Sequence, residues 1–279
     1  MKVDSHERYS ARYSARYVAI VSVLMIVLAP FIWIALNSVR PSQEILGTPT
    51  FLPVVWTLDN FRNLFSNTDY WLWTRNSTVV ALYTVVLTLP LALAGAYSIY
   101  RTRYRGRNVL GVFILSVYVF PTTLLVVPTF GLFARYGLID SLFGLAVMNT
   151  TLAMPFAVWL LQSFLRGLPP ELEEAAAMDG IGRLKTIGLI IVPQIAPGLA
   201  AVTVFAVIIS WTEFLFASVL TVSNSNLTIP VGMANLIGQY SIDWGRLTAG
   251  GVATAFPILI LFTVAGRFFI RGASAGAVK

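Results

Sequence analysis

Four of the twelve acidic residues in this 279-residue chain lie within nine positions of one another, between two long apolar segments. They are Glu171, Glu173, Glu174 and Asp179. Carboxylates at this density could serve catalysis, hold a metal ion or contact a soluble partner. Alternatively, the acids have no functional role and face water on a solvated connector.

Catalysis and metal binding find no support elsewhere in the sequence. The single histidine, His6, lies in a basic N-terminal tail, cysteine is absent, and no cluster of His, Cys and Asp has the spacing of metal ligands. A phosphate-binding loop needs a Gly-Lys pair, and the chain has none. We therefore predict a non-catalytic protein without a metal site or cofactor.

The composition indicates a membrane protein. Hydrophobic residues make up 57% of the chain, charged residues 11%, and the mean hydropathy is +0.78, whereas a soluble domain carries about 25% charge. Charge-free runs long enough for a transmembrane helix of about 20 residues are continuous rather than alternating, which excludes a β-barrel. We predict an all-α polytopic protein with six transmembrane helices, at 17–36, 77–100, 108–134, 141–165, 186–212 and 247–266.

The basic residues predict the orientation of these helices. Fourteen of the nineteen Lys and Arg residues lie in the two termini and in the second and fourth loops, and five lie on the other side. Lys and Arg accumulate in cytoplasmic loops, so we predict that both termini and the acidic cluster are cytoplasmic. The net charge of +7 is thereby assigned to membrane topology, and not to nucleic-acid binding.

The predicted helices divide the chain into segments. The first apolar run is longer than the core of a signal peptide, so we predict a retained helix. The segments are a basic cytoplasmic tail (1–16), the first helix (17–36), an external loop (37–76), a core domain (77–266) that includes a cytoplasmic loop (166–185) and an external loop (221–244), and a cytoplasmic C-terminal tail (267–279).

Few polar groups lie within the predicted helices. Glu213 ends the fifth run, and two roles stay open to it: an interfacial structural role, or a place along a pathway. Asn149 and Thr150 are weaker pathway candidates, since such residues more often bond between helices. One acid is thin support for ion coupling, but a secondary carrier that uses Glu213, or a non-transporting scaffold, remains an alternative.

The acidic segment itself predicts a short helix. Proline suits the first turn of a helix, so Pro169 and Pro170 favour a start there, and Gly180 favours a stop. The helix dipole stabilises carboxylates in the first turn. Positions 172, 175, 176 and 179 share one face at helical spacing, and we predict that this face, Leu172, Ala175, Ala176 and Asp179, docks another protein.

At this point the sequence resembles a known family. Glu174-Ala-Ala176, Gly180 and Ile190-x-Val192-Pro193 match the E-A-A-x3-G-x9-I-x-L-P signature of ABC importer permeases, with Val192 in place of leucine. The segments 137–140, 154–161 and 211–214 are similar to the carbohydrate branch of these permeases, although Thr212 stands where asparagine is usual. The end of the chain, at 244–250 and 271–279, resembles the second permease of maltose/trehalose-type importers.

This resemblance implies a fold, partners and site residues. The implied fold is that of a type I (MetI-like) importer permease, which lies in the bacterial inner membrane in contact with membrane lipid. The implied substrate is a maltose- or trehalose-like sugar. The partners are a second homologous permease, two cytoplasmic ATPases and an external substrate-binding lipoprotein. The implied ATPase contacts are the coupling helix (Glu174, Ala175, Ala176, Met178, Asp179 and Gly180) and the tail (Gly272, Ala273, Ser274 and Gly276), and the implied binding-protein contacts are Asn224, Asn226, Gly232 and Asn235.

Overall fold

The computed structural model describes residues 4–47, 50–238 and 242–276, with side chains described for 16–47, 50–238 and 242–265. Within these ranges the secondary structure is helical, and the only strand-like pairing is a single antiparallel bridge between Ile237 and Ile242. The all-α prediction is confirmed for the described part of the chain. The described residues fall into two compact units, one within Met1–Thr68 and Leu236–Ala255, the other within Asp69–Asn235 and Phe256–Lys279.

The described ranges contain fourteen α-helices, α1 to α14 in chain order. The first seven are α1 (Asp4–Ser38), α2 (Ser42–Ile45), α3 (Asp59–Asn67), α4 (Tyr70–Arg101), α5 (Arg107–Ser116), α6 (Val126–Arg135) and α7 (Leu142–Arg166). The remaining helices are α8 (Glu171–Met178), α9 (Arg183–Thr186), α10 (Val192–Gln194), α11 (Ala196–Thr212), α12 (Leu215–Leu220), α13 (Ile229–Ala234) and α14 (Trp244–Gly276). Short 3-10 turns occupy Val117–Val119, Thr122–Leu125 and Asn224–Asn226, and a π-helical turn occupies Ile187–Ile191.

Four single helices in the described chain are long and apolar enough to cross a membrane: Arg16–Ser38, Tyr70–Arg101, Leu142–Arg166 and Trp244–Ala265. Two further spans are bent pairs, Arg107–Val119 with Thr122–Arg135 at 96° and Arg183–Gln194 with Ala196–Thr212 at 82°. The six predicted runs therefore correspond to four continuous helices and two broken ones. The helices also extend beyond the predicted ends, since α4 begins at Tyr70 and α14 at Trp244.

Proline accounts for both breaks. Pro121 lies between the two halves of the third span, and Pro193 and Pro197 lie on either side of the bend at Ile195 in the fifth. A proline removes a backbone donor and disfavours helix at the preceding residue. Pro155 behaves differently, because α7 continues through it. From sequence, Pro121 and Pro128 in the third span and Pro155 in the fourth predict kinked or loosened helices; the break at Pro121 confirms this for the third span, and no break occurs at Pro155.

The larger unit is built on close contact among α4, α7 and the helices that follow them. Fully buried small residues on α4, Ala92 and Ala96, face the buried Ala157 and Val158 of α7. A side-chain carbon added to Gly95 would lie 3.3 Å from a methyl of Val158. Small residues let membrane helices approach closely and gain van der Waals contact, so this spacing fixes how α4 lies against α7.

The smaller unit folds part of the predicted external loop around one buried cation. Arg40 is 1% exposed; its Nη2 donates to the carbonyl of Thr50 at 2.9 Å, and its Nε lies 3.3 Å from a carboxylate oxygen of Glu44. The Val54 amide donates to Glu44 at 2.8 Å and holds the pKa of that carboxyl below its usual value. The segment after α1 is therefore ordered around a buried, paired charge.

Candidate functional site

The short helix α8 has the ends that the sequence predicts. It begins at Glu171, directly after Pro169 and Pro170, and its C-cap is Asp179. Gly180 follows with φ of +74°, a left-handed conformation that favours glycine. The Gly180 amide donates to the carbonyl of Ala177 at 3.1 Å, and the Ile181 amide donates to that of Ala176 at 2.9 Å. These two bonds form a Schellman motif, so the helix stops at a defined point.

One of the four acids fastens α8 to the end of α4. Glu173 pairs with Arg101 at 2.9 Å between Oε1 and Nε, and Tyr97 donates its hydroxyl proton to Oε2 at 2.6 Å. Arg101 also donates from Nη2 to the carbonyl of Leu168 at 2.7 Å, just before α8. The side chains of Arg101 and Glu173 are only 9% and 21% exposed. We call Tyr97, Arg101 and Glu173 the Glu173 cluster; sequence reasoning missed it, because its members come from distant parts of the chain and no local spacing connects them.

The Glu173 cluster sets which side of α8 is free. Ala176 is buried, at 2% exposure, and Leu172 is half-buried, whereas Ala175 and Asp179 are exposed. The structure therefore divides the face that we predicted for docking, because half of it packs against the protein itself. The free side is rotated by about one position and consists of Glu171, Glu174, Ala175 and Met178, which we call the outer face of α8.

The outer face of α8 combines charge with exposed apolar surface. Met178 is 89% exposed, and Leu184 on α9, past the Gly180 turn, is 85% exposed. Met178 lies outside the candidate membrane spans, and an apolar side chain this exposed suits contact with another protein, whereas Leu184 lies at the start of the bent fifth span. The arrangement presents a short rigid helix with acids at its start and an apolar side chain at its end.

Asn149 and Thr150, the pathway candidates in α7, lie among helices. Asn149 is fully buried, and its Nδ2 donates to Ser210 Oγ of α11 at 3.2 Å. Thr84 of α4 lies 3.5 Å from the same hydroxyl, and Thr150 donates to the carbonyl of Ala146 in its own helix. The Ser210 hydroxyl therefore joins α4, α7 and α11 through polar contacts of the kind that stabilise membrane bundles.

Glu213 lies at the break between α11 and α12. One carboxylate oxygen accepts from the Phe216 amide at 2.7 Å and the other from the Ala217 amide at 2.8 Å. These amides belong to the first turn of α12, where backbone donors have no partner inside the helix. The carboxylate thus caps a helix start and orders the break, which is a structural use for the one acid available to an ion-coupled carrier.

The loop that follows α12 is fastened at two points. Asp140 accepts from the amides of Val222 and Ser223 at 2.9 Å each. Buried Asn76 at the start of α4 donates to the carbonyls of Ser225 and Leu227 at 2.8 and 2.9 Å. The backbone donation to Asp140, from Ser223 first, lowers the pKa of its carboxyl from 3.8 to about 2.

Of the four residues predicted to contact a binding protein, some are exposed and others are used within the loop itself. Asn224 and Asn235 are exposed. The side-chain amide of Asn226 donates to the Asp140 carbonyl at 2.6 Å, and Gly232 is buried against the ring of Trp73. Two of the four therefore shape the loop, and two are free to contact another molecule. The tail residues Gly272, Ala273, Ser274 and Gly276 lie where the backbone continues α14 but side chains are outside the described residues.

The Asp140 contacts predict an acid-sensitive loop. Because the folded-state pKa is depressed, the contribution of Asp140 to stability is present above pH 3.8 and is lost as the pH falls towards about 2. Asp140→Asn should melt at a lower temperature than the wild type at pH 5, with the difference shrinking across that acid window. Thermal unfolding of both proteins from pH 5 to pH 2 checks this; a constant difference would mean that the carboxylate charge is irrelevant.

The packing of Gly232 predicts a steric effect. A methyl group there would overlap the indole of Trp73, so Gly232→Ala should cost about 2 kcal/mol of unfolding free energy through overpacking. Gly131→Ala is the matched control, because nothing lies within 4 Å of the added carbon and alanine favours the helix. Thermal or denaturant unfolding of the two variants separates them, and equal stabilities would refute the packing of α13 on Trp73.

Together these features define a polytopic helical membrane protein that presents one short, capped helix outside the bundle. The chain belongs to the family of binding-protein-dependent transport system inner membrane components, which residues 73–271 match. The inner membrane ABC transporter permease protein YcjP of Escherichia coli is 37% identical over 262 residues, covering 92% of each chain. The arabinooligosaccharide permease protein AraQ of Halalkalibacterium halodurans is 33% identical over 92% of this chain and 93% of its own.

Two further likenesses agree with this family. The trehalose/maltose transport system permease protein MalG of Thermococcus litoralis is 30% identical over 91% of this chain and 92% of its own. A solved bacterial ABC transporter that imports the acidic polysaccharide alginate has a chain with a TM-score of 0.80 and 22% identity, over 95% of this chain and 98% of that one. The fold is therefore that of an ABC importer permease, and the chain is a multi-pass membrane permease.

Proposed function

We propose that this chain is the transmembrane permease subunit of an ATP-driven, binding-protein-dependent importer of a di- or oligosaccharide. The observation that carries the proposal is the capped helix α8 with its free outer face, in a chain of this permease family. Relatives named for arabinooligosaccharide and for trehalose/maltose transport support a sugar of this size as the substrate.

The assembly follows from the same reasoning. We propose a second homologous permease as the membrane partner, two cytoplasmic ATPases as the source of energy, and an external substrate-binding lipoprotein as the source of sugar. A solved alginate importer in complex with its pentasaccharide-bound periplasmic protein, with a TM-score of 0.64 to this chain, supports the last of these. Asn224 and Asn235 are the loop residues exposed for that contact.

Charge supports a cytoplasmic position for both termini and α8. The predicted topology assigns fourteen of the nineteen Lys and Arg residues to the side of α8, in short loops and tails where the positive-inside rule applies. The ATPases would then meet Glu174, Ala175 and Met178 on the outer face of α8, with Asp179 and Gly180 at its end. Ala176 serves inside the protein, because it is buried there.

The Glu173 cluster gives a physical route from α8 to the membrane helices. When the ATPases close, α8 moves with them, and the ion pair between Glu173 and Arg101 pulls on the end of α4. Because α4 packs closely on α7, a displacement at α8 biases a two-state rearrangement of the bundle between inward- and outward-facing forms. The subunit thus transmits energy and catalyses no reaction itself.

The coupling role is tested by Glu174→Lys in the complete importer. Glu174 is exposed on the outer face of α8, so the change should leave folding intact and reverse a contact charge. We expect sugar-stimulated ATP hydrolysis and uptake to fall together, with Gly180→Pro giving a similar loss. Unchanged ATP hydrolysis and sugar uptake in both variants would show that α8 is not part of the coupling mechanism. Sugar uptake driven by a proton gradient would favour an ion-coupled carrier instead.

A further inference from the structure

A cavity of about 460 Å³ lies between the end of α4, the start of α5 and the second half of α7. Polar side chains from all three helices gather at the end where these helices leave the bundle: Tyr100, Arg107, Asn108, Gln162 and Arg166. These groups are used neither by the Glu173 cluster nor by the outer face of α8. The cavity therefore needs its own explanation.

The cavity has an uncompensated positive charge. Its lining carries two guanidinium groups and no carboxylate. Among the described side chains, the ion pairs involve Arg40, Arg62, Arg101 and Arg246, and neither of the cavity arginines. Arg107 donates to the carbonyl of Thr102 at 3.0 Å, and the guanidinium of Arg166 lies 5.9 Å from the ring centre of Tyr100. Both arginines keep donors available for an anion.

The rest of the cavity is apolar and continues into a second one. A cavity of about 410 Å³ between α4, α5 and α7 shares Ile114, Pro155 and Val158 with the first, and its other lining residues are apolar except for Thr150 and Thr151. Exposed Val112 and Trp159 line the first cavity. The two cavities form one groove, charged at one end and apolar along the remainder.

We propose that this groove holds one anionic phospholipid. The phosphate would lie between Arg107 and Arg166, with Asn108 and Gln162 as further hydrogen-bonding groups, and an acyl chain would follow the apolar part past Pro155 and Val158. Basic pockets between membrane helices at the cytoplasmic side recognise such headgroups. A sugar fits the groove poorly, because the apolar part offers few hydrogen-bonding partners; a free phosphate would leave that part empty.

The test uses the importer purified with its partner subunits in nanodiscs of phosphatidylcholine with a minority of phosphatidylglycerol. Native mass spectrometry then counts the phosphatidylglycerol retained. The double variant Arg107→Gln, Arg166→Gln should bind it about thirtyfold more weakly, since each basic side chain contributes about a factor of five. The matched control is Arg103→Gln, Arg105→Gln, which removes the same charge from exposed positions in the same loop; it should bind as the wild type does.

A second variant tests the apolar part without a change of charge. A carbon added to Gly111 meets only a methyl of Ile99, at 3.5 Å, so Gly111→Leu should fold and fill the cavity. We expect it to retain less phosphatidylglycerol, and inorganic phosphate to displace none. The proposal is wrong if both arginine double variants lose phosphatidylglycerol equally, if Gly111→Leu retains all of it, or if inorganic phosphate displaces it. It is also wrong if the Arg107→Gln, Arg166→Gln variant loses the partner permease, because the groove would then be a protein interface.

Discussion

Arg101→Gln is expected to lower ATP-driven sugar uptake at least about tenfold, because it removes the cation that fastens α8 to α4. Breaking a buried ion pair costs about 3 kcal/mol or more, since the remaining charge stays buried without a partner. Glu173 would keep only the Tyr97 hydroxyl, at 2.6 Å. The outer face of α8 would persist, but its movement would no longer be transmitted to the membrane helices.

Two measurements separate this effect from a general loss of stability. Hydrogen exchange should show faster exchange of the α8 amides in Arg101→Gln, with α7 and α11 protected as in the wild type. Arg103→Gln is the matched control, because Arg103 is exposed in the same loop. In the double variant Arg101→Gln, Glu173→Gln the losses should be less than additive. Wild-type exchange in α8 would show that the ion pair does not hold the helix.

Met178→Asp is expected to reduce co-purification of the ATPase about thirtyfold, with little effect on the stability of the permease itself. The side chain is 89% exposed, so the protein has no packing to lose. A buried hot-spot side chain contributes about 2 kcal/mol to an interface, and a carboxylate in its place would be desolvated on docking. Met178→Leu should retain binding because it keeps an apolar side chain of similar volume.

The role of Met178 is tested most directly by a pull-down that measures how much ATPase the wild-type and variant permeases bind at several salt concentrations. If Met178→Asp and Met178→Leu hold the ATPase equally, the outer face of α8 is not the interface. If both lose it while the α8 amides remain protected, the contact requires methionine itself, and a purely apolar contact is refuted.

Hydropathy predicted the positions of the helices well, but a count of apolar residues did not by itself show where they break. The runs at 77–100 and 141–165 correspond to the continuous helices α4 and α7. The runs at 108–134 and 186–212 are broken by 96° and 82°, since a count of apolar residues does not register a missing backbone donor. Pro155, equally visible in sequence, leaves α7 continuous, so the presence of proline does not by itself predict a break.

For α8, local rules predicted its ends and a distant contact decided its orientation. Pro170 and Gly180 act within their own turns, and both boundaries were confirmed. The exposed face depends on the partners of Glu173, and Tyr97 lies 76 residues away along the chain. Helical spacing alone groups Ala175 with Ala176, and only packing shows that one is exposed and the other buried.

The contacts of the loop and pathway residues also depend on distant parts of the chain, which local sequence patterns do not show. Glu213 could be assigned two roles from its position, and its bonds to the Phe216 and Ala217 amides depend on a break that the sequence did not predict. Asn149 makes the contact between helices that its residue type favours, with Ser210 as its partner, and its place on a pathway stays a prediction. The binding of Asp140 to Val222, more than 80 residues later in the chain, had no signal in the sequence.

The most direct test of the account is sugar uptake into sealed proteoliposomes that contain only this permease, its partner permease and the ATPases. Sugar-loaded binding protein is supplied outside, and either ATP inside or an imposed proton gradient provides the energy. The account predicts that sugar accumulates with ATP and binding protein together, and that a proton gradient alone has no effect. Accumulation driven by the proton gradient without ATP, and abolished by Glu213→Gln, would contradict it.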